Sequence, residues 1–299
     1  MKRHFVALLI ALSVTSDSGA TCESFSKKFG HLEITPQESQ NTLQNSHTSS
    51  VLLFQENSDN SDRGLILNSE GKKALKNLIH HLPCGFPQYG IPPLAPYTQE
   101  EVTINFKTNF FQTFSKLFRF RVDGLNHMLI NKFKISYTFG KKVKYSLTIP
   151  KIVLTGKIVS DIYVDLMEEY GVKIRYDGEG NFEMILKDII IDGSFKYKAP
   201  LIFGSIKIYD FTMIISLGKV ISQIKFTDTL EKFNEFLNYK IEDYLWKIVN
   251  YNKNRISVLI EENVVPVVNE KMKGHKIWYL IGLLSEINGV CYPPPVPWE

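Results

Sequence analysis

Cysteine is scarce here: Cys22, Cys84 and Cys291 are the only three in 299 residues. Three thiols permit at most one intramolecular bridge with one left over, so a disulfide framework is excluded and the fold must rest on its apolar core. Cys84 with Cys291 would staple the tail to the middle of the chain, whereas Cys22 with Cys84 would tie down the N-terminal stretch. Long apolar runs are scarce as well. Phe5 to Leu12 falls far short of the ~20 residues that span a bilayer, and no later segment reaches that length without charges. A dominant charge is also missing. The 35 Lys and Arg are mixed with 31 Asp and Glu, and the net +4 makes no case for nucleic acid. No N-x-[ST] sequon occurs, nor any G-x-S-x-G, H-E-x-x-H or paired C-x-x-C. No enzyme is therefore expected, and with it no catalytic residue, cofactor or metal. The adjacent His80-His81 do not alter this. Neighbours on a helix point about a hundred degrees apart and nothing completes a metal site, so a solvated pair is expected.

What is present divides into segments. Residues 1–20 have a basic start (Lys2, Arg3), the apolar run and a small-residue end (Ser18, Gly19, Ala20), the pattern of a secretory signal peptide cleaved after Ala20. Residues 21–63 are rich in Ser, Asn, Gln and Asp, with Val51 to Phe54 as the one apolar cluster. Such a stretch buries too little surface to offset its chain entropy and reads as a disordered extension. Order should begin near Asn68, where Leu75, Leu78, Ile79 and Leu82 line one helical face until Pro83 and Gly85 stop it.

From about Val102 to Leu217 the period changes to two. Apolar side chains alternate in Val102/Ile104/Phe106, Phe133/Ile135/Tyr137/Phe139 and Val143/Tyr145/Leu147/Ile149. They do so again in Ile162/Val164/Leu166, Val172/Ile174/Tyr176, Phe182/Met184/Leu186 and Phe211/Met213/Ile215/Leu217. This predicts at least seven strands of an antiparallel meander with one apolar face, the Gly178-Glu179-Gly180 stretch serving as a hairpin turn. Leu230, Phe233, Leu237, Ile241, Tyr244, Leu245 and Ile248 then return to helical spacing over Thr229 to about Asn250, capped by Thr227 or Asp228. The asparagines at 250, 252 and 254 suit a break, and a second helix follows from about Ile256 to Met272, interrupted by Pro266. Ile277–Ile287 is a further apolar segment, and "CYPPPVPWE" an extended tail.

The sheet's apolar face has to be covered, and the C-terminal helices are the large apolar elements available. Periodicity does not decide whether side chains fill the space between them or an elongated cavity remains. Here the run "GFPQYGIPPLAP" (Gly85–Pro96) resembles the juvenile hormone-binding protein and takeout family of insects. That family has a proline-rich Gly-Ile-Pro-Pro-Leu-x-Pro lead-in from a first helix to the sheet. "VDGLNHMLINKFKI" (Val122–Ile135), "IPKIVLTGKIVSDIYV" (Ile149–Val164) and "DGEGNFEMIL" (Asp177–Leu186) are similar to later motifs of that family, in the same order. The chain departs from the pattern in lacking the usual cysteine pair around the first helix, in Ala95 where an aspartate is common, and in "TDTL" (Thr227–Leu230) before the helix. The resemblance implies an α+β fold: a long, highly curved antiparallel sheet wrapped around a long C-terminal helix, enclosing an elongated apolar tunnel. It also implies a secreted, extracellular carrier of juvenile hormone-like terpenoids or fatty acyl lipids.

The expected organisation is a signal peptide (1–20), a polar extension (21–63), the ligand-binding domain (64–273) and an apolar, proline-rich end (274–299). Tunnel residues should come from the inward face of the meander: Phe133, Ile135, Tyr137, Tyr145, Leu147, Leu154, Val164, Ile174, Phe182 and Met184. A tyrosine phenol among them suits an ester, acid or epoxide oxygen. The expected partner is one small hydrophobic ligand held by a monomer. The competing reading has a filled interior and a protein that docks on a membrane or receptor through its apolar C-terminal segment and basic turns such as "FGKKVK".

Overall fold

The computed structural model describes residues 58–85, 92–107, 111–136, 141–166, 171–198, 207–271, 273, 291–292 and 294–296. The expected signal peptide, most of the polar extension, residues 86–91 of the proline-rich stretch, Tyr137 and the apolar segment 277–287 lie outside the described residues.

The first helix, α1 (Ser58–His81), starts ten residues ahead of the expected Asn68. A meander follows: β1 (Tyr97–Lys107), β2 (Phe111–Asp123), a single 3-10 turn (Leu125–His127), β3 (Leu129–Ser136), β4 (Lys142–Leu166), β5 (Val172–Lys198), β6 (Lys207–Ser222) and the two-residue β7 (Lys225–Phe226). Two helices close the described chain, α2 (Glu231–Tyr251) and α3 (Lys253–Lys271). All pairings are antiparallel in one seven-stranded sheet ordered β1-β2-β4-β5-β6, with β3 also on β4 and β7 also on β5.

The strand count agrees with expectation, but the partition does not. β4 and β5 run 25 and 27 residues, several times the usual strand length. Each therefore joins stretches that the alternation separates. Gly178 and Gly180 are not a hairpin turn; they lie inside β5. A Cβ on Gly180 would stand 2.1 Å from the Lys225 carbonyl oxygen and 2.8 Å from Phe226 Cα, so glycine is what lets β7 lie against β5. Thr227 is not the helix cap either. Its hydroxyl and amide both bond the Glu179 carbonyl, and α2 starts after Leu230 without a side-chain cap.

One large core joins the inner faces of β2, β4, β5 and β6 to the helices. Leu117, Phe120, Val122, Ile152, Leu154, Met184 and Leu217 meet Leu237, Ile241, Leu245 and Ile248 of α2 and Ile256 and Ile260 of α3. Burying each such side chain contributes about 1.5–3 kcal/mol. A smaller cluster of Ile135, Val143 and Tyr197, with Phe133 and Phe195 against it, lies on the β3 side of the sheet. Here α1 approaches closely, since a Cβ on Gly71 would come within 2.7 Å of the Phe133 ring and 2.9 Å of Ile135 Cδ1. The Cys84–Cys291 disulfide closes the choice left by the sequence and ties the residues after α1 to the C-terminal tail.

Among the described residues no further strand pairs with the β6 edge of the sheet. Helix side chains take its place. Asn238, Asn250 and Asn269 each accept from the N–H and donate to the C=O of one residue: Ile224 (2.8 and 2.9 Å), Leu217 (3.2 and 2.8 Å) and Ile208 (2.7 and 2.9 Å). Asn234 does the same to Phe226 at 3.2 and 3.4 Å. Glu242, Ser257 and Glu261 accept from the amides of Ser222, Met213 and Phe211. Buried backbone groups need partners, and an Asn side chain offers the same donor–acceptor pair as a neighbouring strand. On the other side of the sheet, Asn68 of α1 accepts from the Ile135 amide of β3.

Candidate functional site

The curling of the sheet under α2 leaves a cavity of about 40 Å³. Ile104 of β1, Leu117 of β2, Ile158 and Ile162 of β4, and Phe182 and Met184 of β5 form most of its wall. Ile224 and Phe226 next to α2, and Leu237 and Ile241 on it, close the space from the helix side. Among the described residues no charged side chain lines it. Three polar residues are among those lining it, Thr113, Ser115 and Ser160, each at least 96 % buried, while the surface the cavity exposes is apolar. They form a closed triangle: Thr113 Oγ1 to Ser115 Oγ is 2.7 Å, Thr113 Oγ1 to Ser160 Oγ 2.8 Å and Ser115 Oγ to Ser160 Oγ 2.5 Å. Strand geometry produces the cluster, because Thr113 and Ser115 are two apart on one face of β2 and Ser115 sits directly opposite Ser160.

The ten expected site residues are distributed unevenly. Phe182 and Met184 line the cavity. Leu154 and Val164 are fully buried in the same core, and Ile174 is half-buried against it. Ile135 and Phe133 belong to the separate cluster beside α1, and Leu147 is half-buried on β4. Tyr145 is half-buried, its ring 6.4 Å from that of Phe195, and its buried hydroxyl has no hydrogen-bond partner among the described residues. The Tyr197 hydroxyl is in the same condition. Burial holds both phenols neutral by raising their pKa above the ordinary tyrosine range, Tyr145 the more strongly.

The three hydroxyls are what the sequence reading missed. In β2 the large apolar residue Phe114 points outward and is 49 % exposed, while Thr113 and Ser115 point inward. The hydrophobic alternation of this strand is thus inverted, and the strand itself goes unread. Its only signal is Thr113, Ser115 and Leu117 sharing one parity.

Chemically, the site offers enclosure. No base lines the cavity to activate a hydroxyl as a nucleophile, and the described residues contain no cluster of His, Cys, Asp or Glu suited to a metal. His81 is buried, not solvated as expected, and its Nδ1–H donates to the Asn77 carbonyl.

The family model described as haemolymph juvenile hormone binding protein matches residues 50–282 of the chain. No curated protein matches it. Among solved structures, Takeout 1 of Epiphyas postvittana is similar at 15% identity, over 74% of this chain and 92% of that one, with a TM-score of 0.40. Lipopolysaccharide binding protein is similar at 12% identity over 70% of this chain, which spans 40% of that structure, with a TM-score of 0.33.

Proposed function

From the premise that this chain belongs to the haemolymph juvenile hormone binding protein family, we propose that it is a secreted, monomeric carrier of one small hydrophobic ligand, a terpenoid or fatty acyl lipid. The observation that carries this reading is the uncharged cavity walled by four strands of the curled sheet, β7 and α2. A ligand there is held chiefly by burial. A C15-sized apolar molecule loses on the order of 400 Å² of surface to the protein, and at ~25 cal/mol per Å² this is about 10 kcal/mol before the cost of association. With about 4 kcal/mol of that lost to association, about 6 kcal/mol remains, a Kd of tens of micromolar.

Binding requires the interior to expand into an elongated tunnel, because 40 Å³ is far below the ~300 Å³ or more of a ligand pocket. Met184 and Phe182 are the side chains that would yield first, methionine being the more adaptable. Leu154, Val164 and Ile174 are proposed to line the tunnel behind them. Phe133, Ile135, Tyr137, Tyr145 and Leu147 are proposed to line its α1 end, with the Tyr145 phenol as a hydrogen-bond donor to a ligand oxygen.

The small volume also favours the second reading, an interaction protein with a filled interior. It would present exposed aromatics such as Tyr239 and Tyr251, each more than 60 % accessible on α2. Native mass spectrometry of the secreted protein, with solvent extraction of anything bound, separates the two. A stoichiometric apolar adduct displaced by added terpenoid or fatty acid is the expected result. An apo mass unchanged across such a panel overturns the carrier reading and leaves the docking one.

A further inference from the structure

We infer that the Thr113–Ser115–Ser160 triangle is the recognition site for a neutral oxygen at the end of the ligand, an alcohol or an ester carbonyl, and not a packing feature. The inference rests on the carrier reading above and adds to it which atom of the ligand is read, and by what.

The first argument is placement. Thr113, Ser115 and Ser160 stand together among the lining residues of a cavity whose exposed surface is apolar, their hydroxyls turned to one another. Had packing alone been required, alanine or valine would fill these positions at no cost in desolvated hydroxyls.

The second argument is geometry. The three O···O distances of 2.5, 2.7 and 2.8 Å make a nearly equilateral triangle. At each oxygen the donated and the accepted bond are then only roughly 60° apart, well inside the ~110° that separates an O–H from a lone pair. Three hydroxyls own three protons and six lone pairs, so even a complete ring leaves three lone pairs unused. A fourth oxygen relieves this. An alcohol enlarges the ring to four members in which every hydroxyl donates once and accepts once, at angles nearer tetrahedral. An ester carbonyl ends a chain in which all three hydroxyls donate in sequence.

The third argument is charge. No cation lines the cavity, so an ionised carboxylate would be desolvated without compensation. The site therefore selects neutral oxygen over both hydrocarbon and anion.

The test uses the full chain, displacement of the fluorescent probe N-phenyl-1-naphthylamine, and the matched ligands 1-dodecanol, dodecane and dodecanoate at pH 8. The variants are Ser160→Ala alone and Thr113→Val/Ser115→Ala/Ser160→Ala together. Removing all three hydroxyls leaves no polar group stranded, so the triple variant should fold, and circular dichroism and melting check that it does. The expected result is a loss of about 10-fold or more in dodecanol affinity in the triple variant, a smaller loss in Ser160→Ala, and dodecane unchanged in both. Dodecanoate binds more weakly than dodecanol to the parent protein. The inference is overturned if dodecanol and dodecane respond alike to the variants, or if dodecanoate outcompetes dodecanol. Failure of the carrier reading looks different: neither the probe nor any of the three ligands binds the parent protein.

Discussion

Asn238→Ala removes more than one side chain's packing. The Asn238 amide accepts from the Ile224 N–H at 2.8 Å and the Ser222 hydroxyl at 2.7 Å, and donates to the Ile224 carbonyl at 2.9 Å. Ser222 and Ile224 are 6 % and 4 % exposed, so water does not readily replace the lost partner. Each stranded buried group costs about 1 kcal/mol or more, which puts the variant about 3 kcal/mol below the parent. Asn238→Leu keeps the volume and should lose a similar amount, showing that the loss is of hydrogen bonds and not of packing. The control is Asn263→Ala. Among the described residues that side chain bonds the Leu259 carbonyl of its own helix alone, and alanine's better helix propensity offsets the loss. Urea unfolding followed by circular dichroism reads the difference as a midpoint shift of about 1 M at a slope near 3 kcal/mol per M. If Asn238→Ala and Asn263→Ala agree within about 0.5 kcal/mol, the amide ladder does not hold the sheet edge, and apolar packing alone keeps α2 in place.

Reducing or deleting the Cys84–Cys291 bridge should cost up to about 5 kcal/mol, because the bonded residues are 207 apart in sequence and loop entropy grows with length. Dithiothreitol should therefore lower the urea midpoint of the parent protein and leave a Cys84→Ser/Cys291→Ser variant unchanged. Tyr145 predicts an alkaline limit. Its pKa is raised in the folded state by burial, so above the unfolded-state value near pH 10 the unfolded chain releases a proton that the folded chain keeps, and stability falls as pH rises. Tyr145→Phe should flatten that fall between about pH 10 and 11.5 and leave stability at pH 7 equal or higher, since the lost hydroxyl has no partner. A stability profile identical to the parent's through this range would contradict the assignment.

Apolar side chains announced the fold: Phe182, Met184 and Leu186 of β5 and Leu237, Ile241, Leu245 and Ile248 of α2 are all buried as their spacing requires. Polar side chains did the positioning, and their pattern is harder to read. Asn234, Asn238, Glu242 and Asn250 recur at multiples of four along α2, which places them on one stripe facing the β6 edge. A hydrophobic pattern is blind to that stripe: the helix does break at Asn252, as the run of asparagines suggests, but nothing in the apolar spacing shows that Asn250 also serves as a surrogate strand. The same blindness hid Thr113, Ser115 and Ser160, because the inward face they occupy is polar where an inward face is expected to be apolar.

Long strands defeat the alternation rule in a different way. In β4 the buried positions are Val143 and Ile149, then Ile152, Leu154, Ile158, Ile162 and Val164, a change from odd to even numbers. In β5 they change from even to odd between Leu186 and Ile189, and in β6 from odd to even between Leu217 and Val220. The register nonetheless continues without an inserted residue, from Ile149↔Ile189 to Lys151↔Lys187 and from Ile189↔Leu217 to Lys187↔Lys219. The three changes thus fall on one row, Pro150, Asp188 and Gly218. Proline has no N–H to give the ladder, Asp188 has a positive φ of 53°, and a Cβ on Gly218 would stand 2.8 Å from Asp188 Cβ. The sheet is creased there, and each strand turns its other face inward beyond the crease. Period-two reading breaks a strand at such a point, which is why the 25-residue β4 reads as separate short runs on either side of Pro150. The 27-residue β5 is divided instead by Gly178 and Gly180, glycines inside a continuous strand. The crease also divides the expected site. Leu154, Val164, Ile174, Phe182 and Met184 fall on the cavity side of it, while Tyr145 and Leu147 lie beyond it on β4 and Phe133 and Ile135 on the adjoining β3. Only a ligand long enough to cross the row of Pro150, Asp188 and Gly218 would touch both sets. The hydroxyl triangle and the unpartnered Tyr145 phenol then stand on opposite sides of that row, so a shorter ligand meets one polar group or the other, not both.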